Sequence, residues 1–138
     1  MAFLLDTNVI SELRRKKRCN ANVAAWQSGI KPVSCFISVI TQMEITNGIE
    51  ATKRKDAEFA AILETWYQNQ VIPNFADRIL PVNSAIAEQA GKILAIRTRN
   101  TADCIIAATA LVHELTLVTR NLVDFADTGV DLINPWEE

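Results

Sequence analysis

Histidine is almost absent from this chain, at one in 138 residues, and glycine and proline are sparse at four each. His113 stands near the end of an apolar segment with no acid and serine arranged around it, so it reads as structural rather than as a catalytic base. Cys19, Cys35 and Cys104 are odd in number and widely spaced, with no Cys-x-x-Cys pair. That argues against a disulfide framework or a zinc site and fits a reducing compartment. There is no Gly-x-x-x-x-Gly-Lys loop to cradle phosphates, which disfavours a nucleotide hydrolase. No apolar run approaches the roughly 18–20 residues of a membrane span. No basic region precedes a leader-like stretch, so a cytoplasmic protein without a membrane role is expected. A net charge of −2 excludes a uniformly basic surface, leaving only local patches for nucleic acid. Repeats, low-complexity segments and linkers are missing too, and residues 1–138 are expected to form a single domain.

What is present is an ordinary globular mixture, 49% hydrophobic and 22% charged. The chain opens on Phe3-Leu4-Leu5-Asp6-Thr7-Asn8-Val9-Ile10. Three apolar residues running into an aspartate describe a buried parallel strand that delivers Asp6 into the turn before a helix. Ligands of open α/β sheets bind beyond the carboxyl ends of strands, so Asp6 is placed for chemistry. A turn aspartate also satisfies free N–H groups, a purely structural use. Val9, Ile10 and Leu13 then repeat at helical spacing, with Asn8 as a candidate N-cap. Arg14-Arg15-Lys16-Lys17-Arg18 follow, five consecutive cations that either solvate a helix end or contact RNA phosphates near the Asp6 turn. A second helix is expected from Ala21 to about Gln27, with Val23 and Trp26 inward and Gly29 and Pro32 ending it.

Ser34 to Val39 reads as a second strand, and Thr41-Gln42-Met43-Glu44 as a capping box opening a helix through Ile45 and Ile49. Gly48, on the same face as Glu44, implies the close approach of something beside that acid. Phe59, Ile62, Leu63 and Trp66 mark a helix from Asp56 to about Gln70; Pro73, Asn74 and Asp77 form a loop; Ile79 to Val82 is a short edge strand. Asn83 caps a helix carrying Ile86, Ala90, Ile93, Leu94 and Arg97, and Arg97 and Arg99 either point toward the cleft or end the helix. Thr101-Ala102-Asp103 begins a helix that is apolar nearly all round and therefore buried. Leu115 to Thr119 is the next strand, and Val130 to Trp136 a last strand with an exposed tail. Strands alternating with helices define an α/β fold of three layers, α/β/α, around a mainly parallel sheet.

In that fold Asp6, Glu44, Asp103 and Asp124 share an address, each in a strand-to-helix turn or the first turn of a helix. Helix starts in a parallel sheet gather at one edge, so the four carboxylates converge. Clustered charges repel by several kcal/mol per pair at intermediate dielectric, more than helix dipoles offset. A divalent cation would neutralise them, and all-oxygen donors suit Mg²⁺ or Mn²⁺. Such a site serves phosphodiester cleavage, in which metals activate water and stabilise the leaving oxygen. Thr7, Asn8, Thr119 and Asn121 flank the acids and are expected to support them.

The string LDTNVISEL, the element Glu44 to Gly48, the AD-x-IIAATA block around Asp103, and TRNLVDF with its later NPW together resemble a PIN-domain nuclease. More narrowly, they resemble the VapC/FitB toxins of bacterial type II toxin–antitoxin systems. The resemblance covers nearly the whole chain. It implies a parallel sheet between helices, Mg²⁺-dependent endoribonuclease activity, a small DNA-binding antitoxin as partner, and a homodimer. By position Asp6, Glu44 and Asp103 match the family's first three acids. Asn121 stands where some relatives carry the fourth, and Asp124 matches others as a ligand, a water-mediated contact or a helix cap. Glu114 replaces a glycine common before the Leu-Thr-Leu-Val strand, a difference that concerns a turn. Other readings are an RNA-processing nuclease outside any toxin pair, or a non-catalytic module that binds RNA or protein. A haloacid-dehalogenase-type phosphatase is disfavoured because its second acid would fall where Asn8 stands.

Overall fold

Apolar runs of two to four residues become strands because the turns that follow them carry Asp, Ser, Thr and Asn into helix starts. In the computed structural model, which describes residues 1–137, five strands form: β1 Phe3–Leu5, β2 Cys35–Ser38, β3 Ile79–Leu80, β4 Thr116–Val118 and β5 Leu132–Ile133. They pair in the order β3-β2-β1-β4-β5, every pairing parallel. The helices are α1 Thr7–Leu13, α2 Ala21–Ser28, α3 Val39–Lys53, α4 Ala57–Trp66, α5 Ile72–Asn74, α6 Ser84–Leu94, α7 Thr101–Val112 and α8 Leu122–Phe125.

Alternation along the strands divides the core in two. Leu4 and Leu117 face Ile86, Ala90 and Ile93 of α6 and the small residues of α7, a cluster closed by Phe125. Phe3, Leu5, Ile37 and Val118 face the other way, onto Val9 and Ile10 of α1, Ile45 and Ile49 of α3, and Tyr67 and Val71. Trp26 meets Phe3 edge-on, ring centroids 5.4 Å apart. The three-layer α/β/α expectation therefore holds. β3 is an edge strand, and Asn83 does cap α6, accepting from the Ile86 N–H. Among the described residues no helix is long and apolar enough to cross a membrane.

Several local expectations give way. Asp6, not Asn8, caps α1 and accepts from the Thr7 N–H. Thr41 and Glu44 form no capping box: Ser38 caps α3, which starts at Val39 directly after β2 and leaves Glu44 in the second turn. The helix that starts at Ala57 does not end near Gln70 but continues through a π turn, Tyr67–Val71, into α5. Pro73 follows closely on the π turn near the end of this run, and burial of Tyr67 and Val71 favours the wider turn. Trp136 is not part of an exposed tail: it packs on the second core cluster and its carbonyl accepts from Asn22 Nδ2 at 2.8 Å, while Glu137 after it is exposed. Glu114 sits at φ 55°, the left-handed conformation that glycine adopts without strain.

Candidate active site

The sheet order reverses beside β1. The chain leaves β1 for β2 and β3 on one side, then returns to β4 on the other. A crevice opens at such a switch point beyond the strand ends, and here those ends carry Asp6 and Thr119. The Asp6 N–H continues the ladder by donating to the Val118 carbonyl at 2.9 Å, which fixes its backbone. Its carboxylate is fixed too: Oδ1 accepts from the Thr7 N–H at 2.8 Å, and Oδ2 from the Thr119 hydroxyl at 2.8 Å and Asn8 Nδ2 at 3.4 Å. Asn8 Nδ2 also lies 3.4 Å from Thr119 Oγ1, and its Oδ1 accepts from the Arg120 N–H. The Asn121 N–H donates to Thr119 Oγ1 at 3.1 Å. Thr7, Asn8 and Thr119 thus bond Asp6 directly, and Asn121 reaches the group through its backbone N–H to Thr119.

Thr7 links a second acid to this group. Its hydroxyl donates to Glu44 Oε1 at 2.6 Å and lies 3.1 Å from the hydroxyl of buried Thr41. Asp103 lies in the first turn of α7, whose N-cap is Asn100, and Asp124 lies on α8. Burial pushes the Asp6 carboxyl above its ordinary value despite the bonds from Thr119 and Thr7, and the charge of Asp124 adds to the rise. Asp103 is pushed up to about 6, first by burial, then by the charges of Asp6, Asp124 and Glu44. The charges of the other three acids are therefore felt at the Asp103 carboxyl, after the larger effect of burial. Among the described residues no three His, Cys, Asp or Glu side chains are gathered at metal-ligand spacing. The acids are electrostatic neighbours rather than a closed cage.

The basic run divides. Arg14 is half-buried, lies over the Phe59 ring at 5.4 Å and lines a hollow of about 190 Å³ with Thr7, Ser11, Glu44 and Gly48. Arg15 pairs with Glu12 at 3.4 Å, and Lys16, Lys17 and Arg18 form an exposed 3₁₀ turn. Nothing lies within 4 Å of where a Gly48 side chain would begin. No described residue of the chain makes a close approach there, and Gly48 leaves open the space beside Glu44.

Arg97 and Arg99 neither cap α6, which ends at Leu94, nor stand alone. Arg97 Nε reaches Asp127 Oδ2 at 2.8 Å and its Nη2 the Val123 carbonyl at 3.0 Å. Arg99, its side chain only 3% exposed, reaches Asp127 Oδ1 at 2.7 Å and the Asp124 carbonyl at 3.1 Å. Its Nε and Nη2 are buried with no hydrogen-bond partner among the described residues. Nothing in the sequence marked Asp127, and Thr41 was legible only as a cap.

The sequence matches the PIN domain family over residues 3–130. The chain belongs to that family. VapC ribonuclease Y4jK of Sinorhizobium fredii is 34% identical, the match covering 98% of both chains. Toxin FitB of Neisseria gonorrhoeae is also 34% identical, over 99% of both. The crystal structure of FitAcB from Neisseria gonorrhoeae superposes with a TM-score of 0.88 at 33% identity, covering 99% of each chain. A structure of FitAB bound to an IR36 DNA fragment gives 0.86 at 32%, over 99% of this chain and 96% of that one.

Proposed function

We propose that this chain is a divalent-metal-dependent endoribonuclease and the toxin of a type II toxin–antitoxin pair. The observation that carries the reading is the pressure of three neighbouring carboxylates on Asp103, beside an Asp6 whose position is fixed from three sides. Asp6, Glu44, Asp103 and Asp124 would hold Mg²⁺ or Mn²⁺: the donors are hard oxygens, and a cation would offset both the burial and the neighbouring charges that raise Asp103. When bound, such an ion acidifies a water and offsets charge on the scissile phosphate. The protein's own part is orientation. Thr119, Asn8 and the Thr7 N–H aim Asp6, and the Thr7 hydroxyl aims Glu44. Arg14, beside Glu44, is the member of the basic run best placed to meet an RNA phosphate, with Arg15, Lys16, Lys17 and Arg18 extending the track outward. The relatives named ribonuclease and toxin support the activity, and the FitAB–DNA structure supports a small DNA-binding antitoxin as partner. A homodimer acting in the cytoplasm completes the reading.

The test uses purified protein and a single-stranded RNA. Cleavage should require Mg²⁺ or Mn²⁺ and be abolished by Asp6→Asn; wild-type rates in excess EDTA would refute the mechanism. In a bacterial host, growth arrest that needs Asp6 and is relieved by the neighbouring gene would support the toxin role, and soluble expression without effect on growth or RNA would count against it.

A further inference from the structure

α8 presents Asp124 on four residues and has no side-chain cap at its start. A single helical turn does not hold itself in water. Burial of Phe125 in the first core cluster anchors it, and the connection between α6 and α7 supplies polar bonds that orient it. Arg97 Nε and Arg99 Nη1 take opposite oxygens of Asp127, at 2.8 and 2.7 Å. The same two guanidinium groups reach the carbonyls of Val123 and Asp124, at 3.0 and 3.1 Å. The two arginines thus grip α8 and Asp127, two residues beyond its end, at four points. They lie immediately before Asn100, the N-cap of the helix that carries Asp103.

We propose that Arg97, Arg99 and Asp127 form a clamp that fixes α8 against the start of α7 and so sets where Asp124 stands relative to Asp103. The three are positioning residues, and the inference rests on the metal-site reading above. A flat guanidinium that bridges a carboxylate and a carbonyl fixes orientation as well as distance, which an ammonium does not. Arg99 is kept buried although Nε and Nη2 go unpartnered. Stability alone would be served as well by an apolar residue of similar size. A geometric duty toward the neighbouring acids accounts for the arginine.

The test measures Mn²⁺ binding to the full chain by calorimetry for wild type, Asp127→Asn, Asp124→Asn and the double variant. Asp127→Asn should weaken Mn²⁺ about ten-fold, the usual scale for a group that supports metal ligands. The double variant should bind no more weakly than Asp124→Asn alone, because the clamp acts through that residue. RNA cleavage by Asp127→Asn should recover at raised Mn²⁺, a change in metal requirement rather than in kcat. Amide hydrogen exchange should quicken across residues 122–127 and stay unchanged in the middle of α7. Arg99→Lys, which keeps the charge but loses the flat fork, should behave alike and serves if Asp127→Asn does not fold. Losses that add in the double variant, or wild-type exchange at α8 in a folded clamp variant, would overturn the proposal. Should the wild type bind no Mn²⁺ and cleave no RNA, the metal reading fails, and exchange at α8 alone then decides whether the clamp exists.

Discussion

Thr7 shows how much one side chain does at a strand-to-helix turn. Its N–H serves Asp6 and its hydroxyl serves Glu44, so the two acids cannot move independently. Glu44 itself has no structural duty at the helix start, because Ser38 provides the cap. Glu44→Gln should therefore lower RNA cleavage by at least about a hundred-fold while leaving the melting temperature unchanged or slightly raised, since a repelling charge is removed. Initial rates and a thermal melt check this together; full turnover at saturating Mg²⁺ would show that Glu44 is dispensable. Glu114 makes the opposite case, a residue far from the acids whose cost is purely conformational. At φ 55° it carries the left-handed penalty of about 1–2 kcal/mol, part of which glycine returns as unfolded-state entropy. Glu114→Gly should raise the melting temperature by about 2–4 °C with cleavage unaltered. Calorimetry showing no rise would mean the turn gains something from the glutamate.

Helix starts are the elements that place the acids, and they are where sequence and structure part company. Asn100 caps α7 through its side chain, accepting from the Ala102 N–H at 2.8 Å. Asn100→Ala should cost about 1 kcal/mol of stability. It should change cleavage only a few-fold, because burial of Cys104, Ile106 and Ala108 holds the helix whatever happens at its first turn. A loss of cleavage without a loss of stability, in melts and rate assays, would place Asn100 in the reaction instead. Strands and helix α7 were legible because each rests on periodicity or on a rule of parallel topology. The start of α3 was not: Thr-x-x-Glu satisfies the capping pattern, but β2 runs into its helix without a loop, and Ser38 takes the cap first. The π turn and Pro73 were illegible for a related reason, since long-range burial of Tyr67 and Val71 outweighs a local breaker. Asp127 was invisible because its meaning lies in a pairing across thirty residues with Arg97.

At the scale of the molecule these charges link stability to pH in two opposing ways. Asp103, at about 6, and Asp6 both lie above the ordinary aspartate value of 3.8. Between about pH 4 and pH 6 the native chain therefore binds more protons than the unfolded chain, and stability falls as pH rises through that window. Asp127 acts with the opposite sign. Its bonds to Arg99, then Arg97, lower it to about 2, so its contribution is full above about pH 4 and is lost as pH falls toward 2. Without divalent cations the protein should be most stable near the lower end of the window, around pH 4 to 5, below the neutral range. A cation that binds the ionised acids reverses the upper limb by mass action. Millimolar Mg²⁺ should raise the melting temperature more at about pH 8 than at about pH 5, where a proton competes for Asp103. Melts at the two values, in EDTA and in Mg²⁺, decide the matter. Equal Mg²⁺ shifts at both, or stability that climbs with pH through the window in EDTA, would mean that the four carboxylates do not act as one cation-binding unit.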